Sequence, residues 1–143
     1  MKKGEVLLFV GDAQVGNWKS WGEVKFKVPG RTGLRPAHDL LNNAVFYKVG
    51  HHCSHNATLK NGGLRLMNRE GLVAFIPLDK STAKNQGPKE KGGWDMPAGP
   101  LFNALKEKTE NRVAISDVTE VLTPAAVKAG VRATDTYIDY FLK

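Results

Sequence analysis

Asp12, His51 and His52 are the side chains best placed to do chemistry, because each follows directly on an apolar, β-branched run. Residues 5–10, Glu-Val-Leu-Leu-Phe-Val, end at Gly11-Asp12, and residues 45–49, Val-Phe-Tyr-Lys-Val, end at Gly50-His51-His52. Open α/β sheets place their sites at the carboxyl ends of buried strands, so both groups are expected at one edge of a sheet. Imidazole nitrogen and carboxylate oxygen are ordinary zinc donors, and one carboxylate can bridge two ions. Two ions beside one water generate hydroxide at neutral pH. On their own, these residues also have plainer readings. Asp12 after Gly11 reads as a turn or helix-cap residue, and although His51, Cys53 and His55 could coordinate as alternate residues, the histidines read more plainly as solvated loop side chains. Ser54 beside His55 suggests a nucleophile and base, but no orienting acid is identifiable.

The elements that must position these residues follow from periodicity. Residues 72–76, ahead of Pro77, and residues 112–115 repeat the buried-strand pattern, and residues 137–142 form a terminal candidate. Residues 36–43 read as a helix with proline in its first turn, residues 59–69 as a second, and residues 97–108 as a third with Leu101, Ala104 and Leu105 on one stripe. Strands alternating with helices indicate an α/β layer. Trp18 and Trp21 have helical spacing and are expected to pack on the sheet, while Trp94 and Met96 are expected to anchor the start of the third helix. Residues 21–34 are rich in turn formers and have room for a short hairpin. Residues 80–93 hold Lys80, Lys84, Lys89 and Lys91 with almost no apolar side chain and read as a long exposed loop. Asp79-Lys80 reads as a surface ion pair or a site-facing pair. With neither repeat nor linker, residues 1–143 are expected to form a single domain.

The 143 residues, 41% hydrophobic and 24% charged, have the composition of a soluble globular protein. The longest apolar stretches fall far short of the roughly 18–20 residues that span a bilayer. The run behind Met1-Lys2-Lys3 is too short for a signal peptide, so a cytoplasmic protein with no membrane partner is expected. A lone cysteine, Cys53, allows neither an internal disulfide nor a CxxC zinc site. The formal charge of +7 favours phosphate-bearing partners, although its basic residues are dispersed and a solvated surface is the plainer reading.

Residues 8–14, Leu-Phe-Val-Gly-Asp-Ala-Gln, and residues 46–58, Phe-Tyr-Lys-Val-Gly-His-His-Cys-Ser-His-Asn-Ala-Thr, together resemble the metallo-β-lactamase superfamily. The likeness is to the branch with a "GDA" segment and a "KVxHHGSH" segment, which includes the competence-related hydrolases, and it runs over residues 6–119. It implies that Asp12 bridges two zinc ions and that His52 is a ligand, with His51 as the alternative. His51 and His55 would then lie near substrate. Cys53 stands where the branch has glycine, and the HxHxDH motif and a separate middle histidine ligand are absent. His38, the remaining histidine, matches no ligand motif. The implied fold is α/β, the C-terminal αβ half of an αββα sandwich, with a mixed sheet of four to six strands and helices on one face. The implied function is a truncated or degenerate metal-dependent hydrolase with little or no catalysis by this chain alone. The alternative is a non-catalytic interaction module, binding nucleic acid through its basic surface. The sheet face left open by a half-sandwich must be covered by a second copy, by the missing N-terminal half or by the chain's own loops and termini, and a homodimer is the preferred expectation.

Overall fold

The computed structural model describes residues 4–117 and 119–142, apart from the side chain of residue 91. The first apolar run forms β1 (Val6–Phe9), and α1 (Val15–Trp21) follows after a turn. The turn-rich segment then folds as an antiparallel ribbon, β2 (Lys25–Lys27) with β3 (Leu34–Pro36), before α2 (His38–Asn42). The other apolar runs become β4 (Ala44–Lys48), β5 (Val73–Ile76) and β6 (Val113–Ile115), with α3 (Lys80–Gln86) and α4 (Gly99–Lys108) between the last two. The chain closes with α5 (Pro124–Ala129) and a second ribbon, β7 (Val131–Ala133) with β8 (Ile138–Tyr140).

The central sheet has the order β1-β4-β5-β6, and every neighbouring pair is parallel. The protein is thus α/β, but this sheet is parallel where a mixed one was expected, and antiparallel pairing is confined to the two ribbons. The candidate strand at residues 137–142 shortens to β8, which pairs with β7 across a turn closed by Thr134 N–H donating to the Tyr137 carbonyl. Two buried faces explain why β4 reads as a nearly continuous apolar run.

On one face Tyr47, Val49, Ala74 and Ile76 pack against Trp18, Leu41, Ala83 and Leu105, which come from α1, α2, α3 and α4 in turn. Trp18 is fully buried, its ring edge-on to Tyr47 at 6.1 Å and 4.9 Å from Trp21, as its helical spacing implied. On the other face Phe46, Val73 and Ala114 pack against Ala126 and Val131, with Ile138 and Tyr140 half-buried alongside. Helices therefore lie on both faces, with α5 on the one expected to be bare. The chain covers part of that face with its own C-terminal segment, the Tyr140 ring stacked on Phe46 at 5.6 Å. Phe9, at the open edge of the same face, remains 62% exposed.

Three element expectations change. Residues 59–69 hold only a 3-10 turn, Leu64–Leu66, because the chain at Gly63 passes so close to its neighbours that a β-carbon would sit 2.5 Å from the Leu59 carbonyl oxygen and 3.0 Å from the Trp18 ring. The supposed loop at residues 80–93 begins with α3, started by the Asp79 carboxylate accepting from Thr82 N–H at 2.7 Å and held by buried Ala83. Trp94 stays 47% exposed and is no anchor for α4, whereas Met96 packs against the core. Among the described residues no helix is long and apolar enough to cross a membrane.

Candidate functional site

Because β1 and β4 are adjacent and parallel, the loops leaving them meet. His51 N–H donates to the Gly11 carbonyl at 3.2 Å, joining the Asp12 loop to the histidine loop. The joint depends on Gly50, where a β-carbon would lie 2.6 Å from the Gly11 oxygen and 2.8 Å from a Val10 methyl. A second tie runs through side chains, with the Asn56 amide donating to Gln14 Oε1 at 3.0 Å.

The backbone of the histidine loop is unusual. His51, His52 and Cys53 have φ of 44°, 52° and 60°, three successive left-handed residues, none of them glycine. Each such residue costs roughly 1–2 kcal/mol. The turn is held by Cys53 N–H to the Gly50 carbonyl, Ser54 N–H to the His51 carbonyl and Ala98 N–H to the Cys53 carbonyl, all within 2.9–3.0 Å. Trp18 Nε1–H donates to the Ala57 carbonyl at 2.8 Å, and the Tyr47 hydroxyl pairs with Thr58 at the same distance, which fixes the far end of the loop. Cys53 thus adopts a backbone angle that glycine takes freely, at the position where the resembling branch has glycine. Burial pushes its thiol up to about 12, so it is protonated at neutral pH. Burial likewise raises the Tyr47 phenol, opposed in part by the Thr58 hydrogen bond.

The hydrogen bonds set both histidine tautomers. His52 Nδ1 lies 2.7 Å from the Pro77 carbonyl, which only accepts, so Nδ1 carries the proton and Nε2 keeps its lone pair. Ser54 Oγ–H donates to Asn56 Oδ1 at 2.8 Å, so the Ser54 oxygen accepts from His51 Nδ1 at 2.9 Å and the second ring is set the same way. Metal-bound imidazoles are commonly oriented by such a bond from the other ring nitrogen. Ser54 is engaged with His51 and Asn56 rather than His55, so the nucleophile-and-base reading of Ser54-His55 has no geometry behind it. His55 and Asp12 are exposed, and His38 opens α2 with Nε2 buried and, among the described residues, without a hydrogen-bond partner.

Among the described residues no three His, Cys, Asp or Glu side chains gather in a way that could hold a metal ion. Asp12, His51 and His52 share one edge of the sheet, but by themselves they do not fit a resident zinc pair.

Sequence reasoning missed two features beside this edge. Lys80 pairs with Glu120 rather than Asp79, and its N–H donates to Asp117 at 2.6 Å. The Asp117 carboxyl is drawn down to about 2 by the Thr119 hydroxyl and the Lys80 and Thr119 backbone amides. These partners lie 37–40 residues apart in sequence, and no local pattern joins them. The second feature is a groove of about 750 Å³ along the carboxyl ends of β5 and β6, with Lys48 and Pro77 in its wall. Its one sequence signal is a lysine within the apolar run of β4. Compared with protein-family models, curated proteins and solved structures, the chain matches none.

Proposed function

We propose that this chain is the C-terminal αβ half of a metallo-β-lactamase-like hydrolase, truncated or degenerate in catalysis, in which Asp12 and His52 are two donors of a metal centre completed by donors outside these residues. The observation that carries this reading is the joint between the two loops. Adjacent parallel strands bring them into direct hydrogen bond, and the Pro77 carbonyl turns the His52 ring so that Nε2 is its coordinating nitrogen. Zinc in the completed centre would supply a bound hydroxide for attack on an ester, amide or phosphodiester. The chain's own share is a carboxylate at Asp12, an oriented imidazole at His52, and His51 and His55 within reach of a substrate. With two donors, the chain alone has little or no hydrolytic activity. The completing half, or a second copy, is expected on the face where Phe9 is exposed.

Zinc titration by calorimetry tests this reading. The chain is expected to bind zinc weakly, and Asp12→Asn and His52→Gln should each weaken binding tenfold or more, while His51→Gln changes it less. Equal zinc affinity in the wild type, Asp12→Asn and His52→Gln would overturn the assignment.

A further inference from the structure

The least expected side chain on the second sheet face is Lys48. It stands on β4 between Phe9 of β1 and Phe75 of β5 in the strand register, with Phe46 two residues before it on the same strand. It is half-buried, and among the described residues its side chain has neither a hydrogen bond nor an ion pair. A partly desolvated ammonium without a counter-ion is costly, and an apolar side chain would serve the sheet better.

Lys48 opens into the 750 Å³ groove, whose apolar lining includes Phe75, Leu122, Tyr137 and Ile138. That volume is within the roughly 300–1,000 Å³ range of small-molecule sites. The other charges around the groove are either partnered or peripheral. Glu120 is paired with Lys80, Asp117 stays ionised but its oxygens are taken up by the neutral donors Lys80 N–H and Thr119, Lys106 lies over the Phe102 ring at 4.6 Å, and Asp135 is exposed at the turn between β7 and β8. The unpaired charge set into the sheet is therefore the cation. The groove touches the histidine loop at one point, Pro77, which lines it and whose carbonyl accepts from His52, while Asp12, His51, His52 and His55 are not among its lining residues.

We propose that this groove binds an organic anion with an aromatic body, the anionic group on Lys48 and the ring among Phe75, Leu122 and Tyr137. The groove is a binding site separate from Asp12 and His52, so the proposal goes beyond the hydrolase reading and does not rest on it. The bound anion gives Lys48 its missing counter-charge, and the aromatic lining receives the ring.

Two dyes of similar shape separate charge from apolar binding. 1-Anilinonaphthalene-8-sulfonate carries the anion, and N-phenyl-1-naphthylamine lacks it. With the whole chain, the sulfonate is expected to bind at one site per chain and at least tenfold more tightly than the neutral dye. Lys48→Met should abolish that preference, Lys48→Arg should restore it, and Ala133→Trp, a bulky side chain at an exposed groove position, should weaken both dyes. Equal affinity of the wild type for the two dyes, or a preference that survives Lys48→Met, would overturn the proposal. Dye binding needs no zinc, so a failed zinc titration with intact, Lys48-dependent dye binding counts against the metal centre and not the groove.

Discussion

Replacing Gly50 by alanine is the sharpest test of the joint between the two loops. Gly50 has φ −76° and ψ 165°, which alanine adopts without strain, so the backbone itself raises no objection. The smaller entropy of an unfolded alanine would by itself stabilise the protein by about 0.4–1 kcal/mol. Against this, the new β-carbon would lie 2.6 Å from the Gly11 oxygen and 2.8 Å from Val10 Cγ2. The first of these is backbone and cannot rotate aside. Forced overpacking of this kind costs about 1–3 kcal/mol. Separating the loops also breaks the His51 N–H to Gly11 hydrogen bond, worth about 1 kcal/mol. The net expectation is a loss of about 1–3.5 kcal/mol, read as a lower urea midpoint at unchanged slope. Zinc binding should weaken in parallel, since the loops that carry Asp12 and His52 would no longer be joined. A Gly50→Ala protein within about 0.5 kcal/mol of the wild type would refute the close approach, and with it the geometry assigned to the site.

Asp117 gives a pH prediction of definite sign. Its folded value of about 2 lies below the ordinary 3.8, so its stabilisation is fully present above about pH 4 and is lost as pH falls through about 2. Asp117→Asn should cost up to about 2 kcal/mol at pH 7 and flatten the acid limb of the stability curve, and an unchanged acid limb would contradict the assignment. Cys53 is fully buried, with its thiol raised to about 12. A thiol reagent at pH 8 should therefore label it only as fast as the protein opens, faster in denaturant, and complete labelling of the native protein within seconds would refute that burial.

The four sheet strands were legible because a short apolar β-branched run is sufficient signal for a buried parallel strand, sharpened in β1, β4 and β5 by the glycine or proline that follows. The shared edge of Asp12 and His51-His52 followed, since two parallel neighbours deliver their following loops to the same side. The histidine loop's conformation was not legible. Three left-handed residues without glycine are imposed by the distant contacts Trp18 to Ala57, Tyr47 to Thr58 and Ala98 to Cys53, and no local preference favours them. α3 escaped notice because one buried residue, Ala83, holds it and no apolar stripe marks it. Residues 59–69 misled in the opposite direction, their leucine spacing overruled by the close passage of Gly63 beside Trp18. Lys48 was visible only as a lysine in a strand. That it has no counter-ion among the described residues is a property of the folded surroundings.

The C-terminal segment laid across the second sheet face has a consequence for any assembly there. Tyr140 on Phe46, with Ala126 and Val131 beneath, already occupies part of the ground that an incoming sheet would use. Since α5 and the β7–β8 ribbon are tethered to the sheet, they act as an internal competitor whose local concentration is fixed by the chain, typically in the millimolar range. A second half seated there exchanges one set of contacts for another, and its apparent affinity is its intrinsic affinity reduced by the fraction of molecules in which the face is clear.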